Sequence, residues 1–491
     1  MLWFQLLKRG IHGNIVQVIE SMYKNIMACV RTPDGHTDWF SCMVGTRQGC
    51  MLSPFLFALY LNAFVEMIQS YQCQGIYVSE SFPNVCTLLY ADDMVLCADT
   101  IGNLQKQLNV LEIYCQKWGM KVNMKKSMIV VYRNGGILKK NEKWHFKGQL
   151  IQCVNQYKYL GMMFCSTLNW NIALQTLRTQ SNKALFNLYQ MNNMCSGLPS
   201  SVLFEVFDKA VKPILCYGAE IWGHTKMCCA ENVHISLCKR ILGVGSKASN
   251  VAVLSECGRY PLFISCATKC IKYWLKINMM SSNRLMKQCY IMSYNLDAAG
   301  RNTWATNIKD LLYRYGFGYV WWNQSVGDIN LFISEFSSRL RDNYRQEWHL
   351  EMSTNGKLSL YQQIKTTYEN YLSELRHKKY IAVLARFRIS NHSLAVETGR
   401  YEGLPRNQRI CKICEKVHKN YCIEDELHFV TICPAYHHLR VEHLNCIVTY
   451  RGPVENIFLK IMMSKDPSVI KSFGLYLLKA IKHRQLILKD L

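Results

Sequence analysis

A chain of 491 residues that is 49% hydrophobic, with a mean hydropathy of −0.06, can bury a sizeable core, which excludes a chain disordered by composition and allows two to four domains. Lys and Arg outnumber Asp and Glu by 58 to 34, a net charge of +24 that favours a polyanionic partner. No stretch reaches the roughly 18 uninterrupted apolar residues of a membrane span, and MLWFQLLKRG lacks the basic region and apolar core of a signal peptide.

The 23 cysteines are scattered, not set out as a compact framework, so an intracellular, reducing compartment (nuclear and/or cytoplasmic) is expected, with mostly buried thiols. Residues 101–150 carry ten Lys or Arg against two Glu and no Asp. A solvated face explains such a run. So does nucleic acid, for which 28 Tyr and 11 Trp are available for stacking.

Residues 1–30 read as helix. TPDGHTDWF follows as a hairpin cornered at Asp34–Gly35, then GTRQGCMLSP as a glycine-bearing loop. Ser53–Pro54 reads as a helix start, a capping hydroxyl and then proline at the first helical position, leading a helix to about Ser70. VCTLLYADDMVLCA is two short apolar runs around Ala91-Asp92-Asp93, a β-hairpin with the acids at its tip. Leu104, Leu108, Leu111 and Cys115 share one face of an amphipathic helix. SMIVVYR and YKYLGMMF read as strands. After Phe164 helical spacing dominates to about residue 390, and GRYEGLPRNQRICKIC marks a second boundary near 400. The expected class is α+β, with domains at 1–164, 165–400 and 401–491.

Adjacent carboxylates in an apolar run repel each other, and burial costs each of them dearly unless a strong positive charge compensates. Divalent metals meet that need, and two Mg2+ ions on such a pair suit phosphoryl transfer. Asp92 is the expected main ligand and Asp93 the supporting one, because successive strand residues point to opposite faces. A surface hairpin with an acidic tip is the plain alternative.

The wider context points one way. GTRQGCMLSPFLFALYLN, YADD, WGMKVNMKKSMIVVY, YKYLG, CYGAEIWG, LCKRILGV and GRYPL occur in an order that resembles the reverse transcriptases of non-LTR (LINE-type) retrotransposons. The resemblance implies a partial right-hand polymerase palm, an antiparallel sheet with helices, followed by a mostly α-helical thumb or connection region. It makes Asp92 and Asp93 the metal ligands, with Tyr90 beneath the primer end. Arg47 and Gln48 would contact template or nucleotide, and Gly49 would let backbone approach the incoming base pair. Lys126 would assist pyrophosphate departure, though a solvated lysine is an equal reading. Tyr159, Leu160 and Gly161 would form the primer grip. The implied partners are an RNA template and a DNA primer or target, with no membrane.

One departure matters. The family carries a third carboxylate in a motif of the form F-x-D-φ-x-x-A-F, φ being apolar, upstream of the region matching residues 1–30. The first 44 residues hold only Asp34 and Asp38, both in the hairpin context. An N-terminally truncated and catalytically impaired chain is therefore expected.

Near the other end, Cys411 and Cys414 are followed after thirteen residues by His428 and after four more by Cys433. That spacing suits tetrahedral Zn2+, and four ligands leave no open position, so the role would be structural. Reduced thiols in a small core are the alternative, and Cys422 and His418 are possible substitute ligands. The resemblance implies that this cluster grips RNA or DNA. Lys479, Lys482, Arg484 and Lys489 could add phosphate contacts or simply coat a surface helix. Two functions stay open: an RNA-directed DNA polymerase, and an inactive nucleic-acid-binding remnant.

Overall fold

The computed structural model describes residues 2–42, 45–47, 49–133, 141–195, 197–226, 228–364, 372, 373, 375 and 378–490. Two compact units emerge: Met1–Asn169 with Met280–Arg301, and Trp170–Met279 with Asn302–Leu491. The first mixes helices with two-stranded antiparallel ribbons. The second is helical and includes the whole cysteine–histidine region.

In the first unit, the helix expected over 1–30 is broken. Gly10 and Gly13 take φ of +78° and +66°, a left-handed backbone that interrupts a helix. The result is α1 (Leu2–Lys8) and α2 (Asn14–Tyr23), after which β1 (Met27–Ala28) pairs antiparallel with β4 (Phe40–Ser41). Between them β2 (Arg31–Thr32) and β3 (Gly35–His36) form the expected hairpin, but Thr32 pairs with Gly35. The corner is therefore Pro33–Asp34, one residue earlier than expected.

Helix α3 runs over Ser53–Ser70, yet Ser53 does not cap it. Its hydroxyl donates instead to the Arg47 carbonyl at 2.8 Å and lies 3.0 Å from the Tyr23 hydroxyl, tying the preceding loop to α2. One end of α3 buries Leu56 and Leu59 with Leu6, Val16 and Ile19. The other buries Phe64 and Ile68 against α4 (Ile101–Trp118). Each such side chain removed from water stabilises by about 1.5–3 kcal/mol. The capping of α4 is regular: the Thr100 hydroxyl accepts from Asn103 N–H at 3.2 Å, and Gly119 closes the helix at φ +63°.

β5 (Thr87–Tyr90) and β6 (Asp93–Leu96) form the acidic hairpin. A short ribbon of β7 (His145–Phe146) and β8 (Gln149–Leu150) precedes the hairpin of β9 (Gln156–Tyr159) and β10 (Met162–Cys165). The strand expected over SMIVVYR does not form. Among the described residues its one ladder contact is a parallel bridge, Ile129 to Cys153. Ile129 N–H donates to Gln152 and its carbonyl accepts from Val154, and Arg133 N–H donates to the Ser166 carbonyl at 3.1 Å, so among the described residues the run makes isolated contacts and no continuous ladder.

The second unit opens with α5 (Asn171–Met194), which packs on the Cys228–Leu242 helix. The Leu262–Asn278 helix packs on Ala219–Trp222 and on the long Ile329–Thr354 helix. The first of those contacts is close enough that a Cβ on Gly223 would collide with the Cys266 backbone. Arg259, from GRYPL, joins three elements. Its guanidinium meets Asp208 at 2.6 and 2.7 Å, and its Nε donates to His234 Nε2 at 3.2 Å. Because a guanidinium can only donate, His234 Nε2 accepts and the ring proton sits on Nδ1, 2.9 Å from Glu231. Cys195, Cys228 and Cys446 are exposed, and the other cysteines are half-buried or buried free thiols.

Candidate functional site

Four residues of each strand pair in the acidic hairpin, closing with Tyr90 opposite Asp93 and leaving Ala91–Asp92 as a two-residue turn. Ala91 holds φ +51° without being glycine, at a cost of roughly 1 kcal/mol. Asp92 thus occupies the tip, and Asp93 is the first residue of β6. Both are exposed, as is Tyr90. Met94 and Leu96 pack on the core and anchor the hairpin from the other face.

The two acids stand in water, so the burial argument that marked them in the sequence does not apply to them. Among the described residues, no third Asp, Glu, His or Cys joins them within coordination distance. Mg2+ commonly takes one or two carboxylates and completes its shell with water and substrate phosphates, so this pair fits such an ion.

The β9–β10 hairpin carries Tyr159, whose phenol is within electrostatic reach of Asp93. Burial pushes the Tyr159 phenol up, and the Asp93 carboxylate adds to that shift. Leu160 and Gly161 form its turn, at φ +47° and +82°. Lys126 is exposed, and its carbonyl accepts from the Tyr157 hydroxyl at 2.8 Å. Sequence reading missed Tyr157; its one signal is the Tyr-x-Tyr alternation that puts it on the face of Tyr159.

Arg47 is exposed in a loop fixed to Ser53, and Gly49 takes φ +78°. Gln48 lies outside the described residues. Among the described residues no hydrogen bond or ion pair links Arg47 to Asp92, Asp93 or Lys126.

In the second unit the structure brings Cys411, Cys414, His428 and Cys433 together, all buried, with ligand atoms within 4.8 Å of one another. Cys411 and Cys414 flank the first turn of the Lys412–His418 helix. His428 and Cys433 bracket a wide turn in which Cys433 N–H donates to the His428 carbonyl at 2.9 Å. Donors about 2.3 Å from one tetrahedral metal lie about 3.8 Å apart. Cys414 Sγ is 3.6 Å from Cys433 Sγ and 3.4 Å from His428 Nε2, so the donor set fits a structural metal. Cys422 and His418 stand outside the group: the Cys422 carbonyl accepts from Cys411 N–H, and His418 is exposed.

The basic residues of the last helix divide into paired and exposed ones. Arg484 binds Glu424 through two contacts of 2.6 Å, and Lys479 binds Glu442 at 2.6 Å. Lys482 and Lys489 remain exposed. Among the described residues no helix is long and apolar enough to cross a membrane.

Comparison with known proteins gives this geometry its setting. Residues 3–164, the stretch that holds both hairpins, match the family described as reverse transcriptase (RNA-dependent DNA polymerase). A 115 kDa protein in type-1 retrotransposable element R1DM of Drosophila melanogaster is 22% identical over 268 residues, covering 52% of this chain and 25% of that protein. The probable RNA-directed DNA polymerase from transposon BS, also of Drosophila melanogaster, is 23% identical over 212 residues, 42% of this chain and 23% of that protein. An uncharacterized transposon-derived protein of Caenorhabditis elegans is 29% identical over 168 residues, 33% of this chain and 58% of that protein. Residues 3–164 thus form a reverse transcriptase domain, and the chain is similar to proteins of non-LTR retrotransposons. It spans about a quarter of the length of the two Drosophila proteins.

Proposed function

We propose that the chain works as an RNA-directed DNA polymerase, adding nucleotides to a DNA primer 3′-hydroxyl on an RNA template. The observation that carries this reading is the hairpin tip, which holds Asp92 and Asp93 exposed and clear of the core. Asp92 and Asp93 would hold Mg2+, which when bound polarises the attacking hydroxyl and neutralises the leaving pyrophosphate. Lys126 meets the departing pyrophosphate. Arg47, Gln48 and Gly49 line the nucleotide and template, Tyr90 supports the primer end, and Tyr159, Leu160 and Gly161 grip the primer.

Residues 1–164 form the polymerase domain in this reading, 165–400 a helical thumb or connection, and 401–491 a module closed by Zn2+ on Cys411, Cys414, His428 and Cys433. Its four donors leave no site for substrate, so the metal's part is structural, and the module holds RNA or DNA. The compartment is intracellular, nuclear or cytoplasmic.

A second reading has its own support. With no third ligand beside Asp92 and Asp93 among the described residues, these 491 residues alone would bind nucleic acid but polymerise poorly. Primer extension on an RNA template with Mg2+ and dNTPs, run beside Asp92→Asn, separates the two. Extension that disappears in the variant supports the polymerase. A folded chain that binds RNA in a salt-dependent way without extending the primer supports the binding reading, and a chain that binds no RNA sinks both.

A further inference from the structure

Tyr157 and Tyr159 stand two residues apart on β9, half-buried on one face, while Gln156 and Lys158 are exposed on the other. The Tyr159 phenol is within electrostatic reach of Asp93. Tyr157 reaches 31 residues back along the chain to donate its hydroxyl to the Lys126 carbonyl at 2.8 Å. The turn carrying Lys126 is otherwise closed on itself. Lys126 N–H, Ser127 N–H and the Ser127 hydroxyl all donate to the Asn123 carbonyl, at 3.0, 3.1 and 3.0 Å, and Lys125 N–H donates to the Asn123 side chain at 3.2 Å.

Those internal bonds fix the shape of the turn but not its place. Its place is set by Val122 and Met124, which pack on the core, by the Tyr157 hydrogen bond and, further along, by Ile129, which is bonded to Gln152 and Val154. Among the described residues no hydrogen bond or ion pair occupies the exposed Lys126 ammonium, so the position of its backbone decides which volume the flexible side chain searches.

From this geometry we propose that Tyr157 is a positioning residue for Lys126, holding the lysine turn in fixed register with the hairpin that flanks Asp93. The inference rests on the polymerase reading for what Lys126 then does, and on the observed hydrogen bond for the positioning itself. Neither WGMKVNMKKSMIVVY nor YKYLG shows the link by itself, because it joins a carbonyl to a phenol across two separate elements.

Hydrogen exchange on the full chain tests the pin directly. In Tyr157→Phe the amides of residues 123–127 should exchange about fivefold faster than in the wild type, the size of one net hydrogen bond. Tyr159→Phe, on the same face, should leave them unchanged. Equal rates in wild type and Tyr157→Phe, or the same acceleration from Tyr159→Phe, overturn the proposal.

Titration with Mg2+–pyrophosphate supplies the readout that a merely structural role would not move. Tyr157→Phe should weaken binding about fivefold when Lys126 is present and not at all in a Lys126→Ala background. Independent, additive losses overturn the coupling. A wild-type chain that binds no Mg2+–pyrophosphate sinks the polymerase role of Lys126, while the exchange rates still decide the role of Tyr157.

Discussion

At the tip of β5–β6 two carboxylates stand in water without a third ligand among the described residues, whereas Cys411, Cys414, His428 and Cys433 are buried with their donors within 4.8 Å. The first arrangement can release what it holds, because water and substrate must complete the shell of any ion bound there. The second is closed, so a metal within it becomes part of the fold. Surrounding contacts follow the same division. Behind the cysteines, Arg440 donates to the Cys433 carbonyl at 2.7 Å and Tyr476 to the Phe429 carbonyl at 2.8 Å. The acids have Met94 and Leu96 as anchors and, among the described residues, no hydrogen bond or ion pair on the carboxylates themselves.

The sharpest way to break this contrast is Cys433→Ser. It should abolish stoichiometric metal in elemental analysis and destabilise the second unit by something on the order of 5 kcal/mol. Full metal content with an unchanged melting curve would remove the closed-site account. Glu256→Ala comes next. Glu256 is fully buried between Arg388, at 2.6 Å, and the Tyr361 hydroxyl, at 2.9 Å, and its loss strands a buried guanidinium. A cost of about 3–5 kcal/mol in denaturant unfolding is expected.

Ala91→Gly relaxes the left-handed backbone at the open tip and should stabilise the first unit by up to about 1 kcal/mol. A loss of stability would show that the tip is not strained. Acid titration probes a still smaller effect. Burial pushes the Asp208 carboxyl up, but the Arg259 guanidinium outweighs this and holds it below its ordinary value. The stabilisation is therefore present above the unfolded carboxylate pKa of about 4 and is lost as pH falls through the lower folded value. Because Asp208 is 37% exposed, the contribution should stay under about 1 kcal/mol, and Asp208→Asn should flatten that part of the stability profile. Asp92→Asn should move stability least, within about 0.5 kcal/mol, while removing any Mg2+-dependent extension. A large stability change there would mean that the acid serves the fold.

What could be read from the sequence was local in cause. The apolar spacing of Leu104, Leu108 and Leu111 marked α4, the runs around Ala91-Asp92-Asp93 marked the hairpin, and the Cys–His spacing selected the four residues that meet. The misreadings share a different origin. Ser53 was expected to cap because of its neighbour Pro54, but the Arg47 carbonyl takes its hydroxyl. SMIVVYR has strand composition, yet a strand needs a continuous partner, and among the described residues Ile129 makes its one bridge, with a lone Arg133–Ser166 backbone bond beyond it. Arg484 counts as a surface charge until Glu424, 60 residues away in the chain, neutralises it. Tyr157 was invisible for the same reason.

The long reach of the helical unit's polar contacts sets an order of events during synthesis. Glu256 leaves the ribosome 132 residues before Arg388, and Ser200 precedes the backbone partner of its hydroxyl, Leu372, by 172. At bacterial or eukaryotic elongation speeds of about 5–20 residues per second, these groups wait on the order of ten seconds for their counterparts. During that interval the helices around Trp222 and Trp274, both fully buried in the finished protein, have no completed core to enter. Slowing translation between residues 256 and 388 should therefore lower the soluble yield of the second unit more than slowing it anywhere in the first 169.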